Sequence, residues 1–108
     1  MNSGLPEKDI QVIREIISRF PEITKVILFG SRAMGNFKRG SDVDLALAGE
    51  EIPEKTASRI AYLLNEETTL PWYFDVVDTT RLHHPGLQEH IEKYGIIIYW
   101  KKPAPSTK

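Results

Sequence analysis

The chain has 108 residues, with 41% hydrophobic and 27% charged side chains and a formal net charge of -1. That is the size and balance of one soluble globular domain. The even charge argues against a protein whose main task is to coat nucleic acid, and the absence of cysteine removes disulfides and Cys-based zinc or redox sites. In chain order, Leu5 to Phe20 reads as a helix: Pro6 suits a first helical position, Glu7 and Asp9 suit the positive end of the dipole, and Ile10, Ile13, Ile16, Ile17 and Phe20 share one face. Pro21 ends it. Lys25 to Phe29 is a short apolar run closed by Gly30, the mark of a buried strand. Ser31 to Ser41 is a polar loop expected to contain a short helical turn. Asp42 to Ala48 alternates, with Val43, Leu45 and Leu47 on one face and Asp42, Asp44, Ala46 and Ala48 on the other.

After a turn at Gly49, Pro53 to Glu67 reads as a second helix, with Ala57, Ile60, Ala61 and Leu64 on one stripe. Trp72 to Val77 is a third strand, Thr79 to Gly86 a loop, Leu87 to Tyr94 a short helix stopped by Gly95, and Ile96 to Trp100 a last strand. A single domain is expected over residues 1–100, with a disordered tail over 101–108. The longest apolar run, Ile96 to Trp100, falls far short of the ~20 residues of a membrane span. The N-terminus carries no signal-peptide pattern, so the cytoplasm is the expected location. Helices alternating with strands imply an α/β (α+β) fold, a mixed four-stranded sheet with helices packed on it. The link between the first two strands is too short for a helical crossover, so they are expected to be antiparallel. The link between the second and third holds a whole helix and suits a right-handed parallel crossover.

The chemistry lies in Gly30-Ser31, ten intervening residues, then Asp42-Val43-Asp44. Carboxylates at i and i+2 on a strand point to the same face, ~6.5–7 Å apart along the chain. That spacing lets them share one cation or serve two cations ~3.5–4 Å apart, and hard oxygen ligands select Mg²⁺ or Mn²⁺. If the first two strands are antiparallel neighbours, Gly30 sits beside both aspartates. Its turn into a short helical segment offers backbone N–H groups and the Ser31 hydroxyl to a phosphate, and Arg32 is placed to neutralise phosphate charge. Asp75 interrupts an otherwise apolar strand, which is costly unless its charge has a partner. A parallel third strand would set Asp75 beside Asp42 and Asp44. Three such carboxylates repel one another and make sense with divalent metal.

The run Val26-Ile27-Leu28-Phe29-Gly30-Ser31-Arg32, the later Ser41-Asp42-Val43-Asp44-Leu45 and the third acid Asp75 resemble the signature of the DNA polymerase beta-type nucleotidyltransferase superfamily, in particular its minimal nucleotidyltransferases. The resemblance covers roughly Val26 to Trp100. It implies a nucleotidyltransferase fold and in-line attack of a hydroxyl on the α-phosphate of MgATP with release of pyrophosphate. It implies a triphosphate held on Gly30 and Ser31, and two Mg²⁺ ions held by Asp42 and Asp44. Asp75 then helps to hold the metal that activates the acceptor hydroxyl. Asp75 is preferred to Asp78 because the two, three apart on a strand, face opposite ways; Asp78 reads as a cap or turn residue at the strand end.

Other readings are weaker. Gly35 is followed by Asn36-Phe37, so a Walker loop fails. Sugar-nucleotide glycosyltransferases share Asp-x-Asp but need a larger domain. His83, His84 and His90 lack a metal-binding spacing and read as loop and helix-surface residues. Lys38 and Arg39 read as a solvated loop. Trp72, Tyr73, Tyr99 and Trp100 read as mostly core, with one left exposed as an interface anchor. The nucleotidyltransferase core takes up nearly the whole chain, so the acceptor is expected to be small, to be a partner protein, or to be held by a second copy. The family resemblance implies a HEPN-domain toxin as partner and AMP transfer to one of its tyrosines. The alternatives are a non-catalytic module that masks such a partner's active site, and transfer to a small molecule. Neither an obligate nucleic acid nor a membrane is expected.

Overall fold

Alternation along the strands sets the architecture. In β1 (Ile23–Phe29) the side chains of Val26 and Leu28 enter one apolar cluster while Ile27 and Phe29 enter another, as a period of two requires for a strand covered on both faces. The computed structural model describes residues 3–101. Within them run α1 (Glu7–Ile17), β1, α2 (Ser31–Met34), β2 (Val43–Gly49), α3 (Thr56–Glu66), β3 (Phe74–Asp78), a 3-10 turn (Thr79–Arg81), α4 (Pro85–Tyr94) and β4 (Ile96–Trp100). The strand order is β3-β2-β1-β4. β1 pairs antiparallel with β2 and with β4, and β2 pairs parallel with β3. The sheet is therefore mixed, as expected.

The larger core lies between one sheet face and the helices α1 and α3. Ile10, Ile13, Ile16 and Ile17 of α1 and Ile60 and Leu64 of α3 meet Val26, Leu28, Val43, Leu45, Leu47, Phe74 and Ile98. Each fully buried aliphatic side chain contributes roughly 1.5–3 kcal/mol relative to exposure. The smaller cluster joins Phe29 and Ala46 to Ile91 of α4, flanked by Ile27, Val77 and Leu87. Ala46 is small because α4 must come close there. Among the described residues no helix is long and apolar enough to cross a membrane.

Most boundaries differ from the sequence reading by a few residues, each for a local reason. α1 starts at Glu7 because Pro6 is its extended N-cap, with ψ 149. It ends at Ile17, and the chain then tightens through Arg19 N–H to Ile16 O and Phe20 N–H to Ile17 O, since Pro21 disfavours a helical Phe20. β1 begins two residues earlier than expected, and Ile23 is fully buried. α3 begins at Thr56; the Thr56 hydroxyl donates to Glu22 at 3.0 Å. β3 begins at Phe74 because Trp72 turns instead to donate its indole N–H to Asp9 at 2.9 Å. α4 begins at Pro85, two residues early, because His84 Nδ1 caps it by accepting from Leu87 N–H at 3.0 Å. Asp78 does cap the turn after β3, accepting from Thr80 N–H at 2.9 Å. Of the four aromatics read as core with one exposed, two are exposed: Tyr73 at 62% and Trp100 at 58%. The expected tail lies outside the described residues except for Lys101, whose N–H donates to Thr24 O at 2.8 Å.

The burial of α1 gives a direct check. Ile13 is 0% exposed and its neighbour Val12 is 37% exposed. Ile13→Ala is expected to lower the unfolding free energy by ~2–5 kcal/mol, and Val12→Ala to change it by no more than about 0.5 kcal/mol. Urea denaturation measures both; equal losses would contradict this orientation of the helix.

Candidate active site

The site is assembled where β1 ends and β2 begins. Antiparallel pairing sets Phe29 opposite Asp44, so Gly30, one residue on, stands directly against the Asp44 carboxylate. Two features require glycine there. Its φ is +77, and a Cβ on it would collide with Asp44 Oδ2. Gly30 then opens α2, with Ser31 as the first helical residue. The first N–H groups of a helix have no partner within it, so the Ser31 amide is a helix-end donor one residue beyond Gly30.

The parallel pairing of β2 with β3 adds the third acid. Asp44 and Asp75 are register partners, and partners on adjacent strands project to the same face. Asp42 precedes β2 by one residue, two before Asp44. The Asp44 carboxyl is raised above the ordinary carboxylate range, first by burial, then by the charges of Asp75 and Asp42. Asp42 and Asp75 are exposed and Asp44 is half-buried. Among the described residues, no three His, Cys, Asp or Glu side chains converge tightly enough to cage a metal ion by themselves. The trio is an open acidic face. Two grooves beside the sheet, about 600 Å³ between α1 and β4 and about 580 Å³ between α4 and the sheet, are lined by other residues.

Arg32 does not serve as expected. It is 1% exposed. Its guanidinium donates to Ser41 O at 3.1 and 3.0 Å and to Ser3 O at 2.9 Å. It also lies 4.6 Å from the Trp72 ring centroid and 4.9 Å from that of Phe37. A group so engaged is not available to a phosphate. Arg32 instead pins the loop that leads into Asp42 to the segment before α1. Lys38 and Arg39, in that loop, are exposed.

His90, assigned a helix-surface role from sequence, instead packs against the Gly30 turn of the candidate site. Its Nε2 accepts from Gly30 N–H at 3.0 Å, so its proton sits on Nδ1. Phe29 and Tyr94 pack on its ring, at centroid distances of 6.2 and 5.3 Å. A signal for it existed: Leu87, His90, Ile91 and Tyr94 form one i, i+3, i+4, i+7 stripe, which turns His90 toward the sheet.

Comparison with known proteins agrees with this geometry. Residues 11–104 match the model of the family described as polymerase beta, nucleotidyltransferase. A curated relative from Haemophilus influenzae, a probable protein adenylyltransferase called MntA, is 28% identical over 98 residues, covering 91% of this chain and 85% of its own length. Among solved structures, a toxin–antitoxin with AMP-PNP superposes with a TM-score of 0.70 at 23% identity, over 91% of this chain and 75% of that one. The MNT antitoxin bound to a tri-AMPylated Shewanella oneidensis HEPN toxin gives 0.67 at 18% identity, over 89% and 72%. At these identities the structural likenesses establish the fold.

The crowding at Asp44 has a measurable sign. A carboxyl whose pKa is raised on folding favours the folded state below the ordinary carboxylate range, and that contribution is lost as pH rises through the raised value. Without divalent metal at neutral pH, Asp44→Asn is therefore expected to melt on the order of a few degrees higher than the wild type. The gap should close as the buffer is acidified below pH ~4. Scanning calorimetry across pH reads this, and a lower melting point for the variant at neutral pH would contradict the arrangement.

Proposed function

This chain belongs to the polymerase beta nucleotidyltransferase family, and from that footing we propose that it transfers AMP from MgATP to a tyrosine hydroxyl of a HEPN-domain toxin and so acts as its antitoxin. The observation that carries the reading is the acidic face of Asp42, Asp44 and Asp75 set against the Gly30-Ser31 turn. Metal-dependent nucleotidyl transfer is the chemistry of the family. The donor set here fits a hard divalent cation: every side-chain donor is a carboxylate oxygen, and a bound positive charge offsets the burial and the acidic neighbours that raise Asp44. Mg²⁺ typically takes one or two carboxylates and completes its shell with water and substrate phosphates, which suits an open trio better than a closed cage. Two Mg²⁺ ions, when bound, supply charge neutralisation at the phosphates and acidify the attacking hydroxyl.

The chain's own groups do the rest. Asp42 and Asp44 present oxygens on one side of β2, and Asp75 presents a third from β3. The Ser31 hydroxyl and amide face the triphosphate, with the Gly30 backbone held in place by His90. The acceptor oxygen forms its bond to the α-phosphorus as the bond to pyrophosphate breaks on the opposite side, and the hydroxyl proton passes to solvent. The openness of the face supports a protein acceptor. Small-molecule sites are concave, whereas Asp42, Asp75 and Tyr73 are exposed and accessible to a side chain projecting from another protein. The names of the relatives, an adenylyltransferase and an antitoxin bound to an AMPylated HEPN toxin, support the same acceptor.

The test is incubation with ATP, Mg²⁺ and the HEPN partner, followed by intact-mass analysis. The partner is expected to gain the mass of AMP, and Asp42→Asn or Asp44→Asn to slow that gain at least about 100-fold. Toxin neutralisation that persists in both variants with no mass gain would contradict transfer and leave a masking module.

A further inference from the structure

β3 is one of the two outer strands of the sheet, so one row of its backbone groups faces away from β2. Tyr73 O accepts from Val43 N–H at 2.8 Å and thus points to β2. Successive residues of a strand alternate, so Phe74 directs both its N–H and its C=O outward, at the unpaired edge, and Asp75 directs its own inward. An outer edge is where a strand frays, and here it carries Asp75, the register partner of the Asp44 carboxylate.

The outward groups of Phe74 are nevertheless both satisfied. Asn65, in the last turn of α3, accepts from Phe74 N–H through Oδ1 at 2.8 Å and donates through Nδ2 to Phe74 O at 2.9 Å. A primary amide carries one acceptor and one donor side by side, so the side chain imitates the next strand of the sheet over a single residue. It is half-buried. Phe74 itself is 0% exposed, which anchors the same residue from its side chain. The clamped residue directly precedes Asp75.

We propose that Asn65 is a positioning residue for the reaction: by holding the Phe74 backbone at both polar groups it keeps Asp75 in register with Asp44 against their mutual repulsion, and so fixes the spacing of the carboxylates offered to divalent metal. This rests on the reading of Asp75 as a metal-holding acid. Asn65 acts only through Asp75 and touches no substrate. Metal affinity and turnover therefore depend on it, while the hold on the triphosphate, which lies with Gly30 and Ser31, does not.

The experiment compares wild type, Asn65→Ala, Asn65→Asp and Asp75→Asn. Asn65→Asp is isosteric and keeps an acceptor for Phe74 N–H while removing the donor to Phe74 O, so it serves if the alanine variant does not fold. Mn²⁺ binding to each protein is titrated by electron paramagnetic resonance, and kcat and KM for ATP are measured separately. The expected result is Mn²⁺ affinity weakened about 10-fold or more in the Asn65 variants, kcat lowered by a similar factor, and KM for ATP within about 2-fold of wild type. Wild-type Mn²⁺ affinity and kcat in the folded Asn65 variants, with both lost in Asp75→Asn, would overturn the role of Asn65 and leave that of Asp75 intact. Unchanged Mn²⁺ affinity in Asp75→Asn as well would overturn both.

Discussion

The structure depends on holding three like charges together at the mouth of two parallel strands. Nothing about a carboxylate trio favours folding. Asp44 is driven above its ordinary range by burial and by its two acidic neighbours, so in the free protein the site opposes the fold that carries it. The fold tolerates this because the residues between the acids are committed to the core. Val43 and Leu45 alternate with Asp44 on β2 and are fully buried, and Phe74 adjoins Asp75 on β3 and is also fully buried. Period-two alternation ties each acid to an apolar anchor, and the larger core fixes the acidic face. Perturbed carboxylates of this kind cluster at functional sites.

The loop between β1 and β2 shows the same division of labour. Its glycine at position 30 is shaped by close approach to Asp44, with His90 holding its amide. Arg32, the next residue but one, turns the other way and, between two aromatic rings, binds Ser41 O within the loop and Ser3 O before α1. A buried guanidinium left without these partners would be strongly destabilising. A glycine set against Asp44 and a buried structural pin thus stand within three residues, and residue type alone does not assign their roles.

Legibility from sequence followed the range of each interaction. Strand alternation, the glycine and proline boundaries and the helical stripe of α1 are local, and they gave the element order, the antiparallel β1–β2 pair and the parallel β2–β3 pair. The acids were legible as candidates because spacing on a strand fixes their face. Arg32 was misread because its partners are set by tertiary contact: Trp72 lies far along the chain, and Ser3 sits before the first helix. His90 lacks a ligand spacing, and its place at the sheet follows only from the α4 stripe it shares with Leu87, Ile91 and Tyr94. Tyr73 and Trp100 resemble core aromatics in composition, and only the sheet order, which makes β3 and β4 the outer strands, leaves them uncovered.

The central claim is that this acidic face and the Gly30-Ser31 turn form one nucleotide- and metal-binding centre. A crystal soaked with Mn²⁺ and a non-hydrolysable ATP analogue tests it most directly, with anomalous scattering to locate the metal. The account predicts an anomalous peak between Asp42 and Asp44, with Asp75 turned toward it and the triphosphate lying along Gly30 and Ser31. Manganese bound elsewhere, or a triphosphate that bypasses that turn, would contradict it.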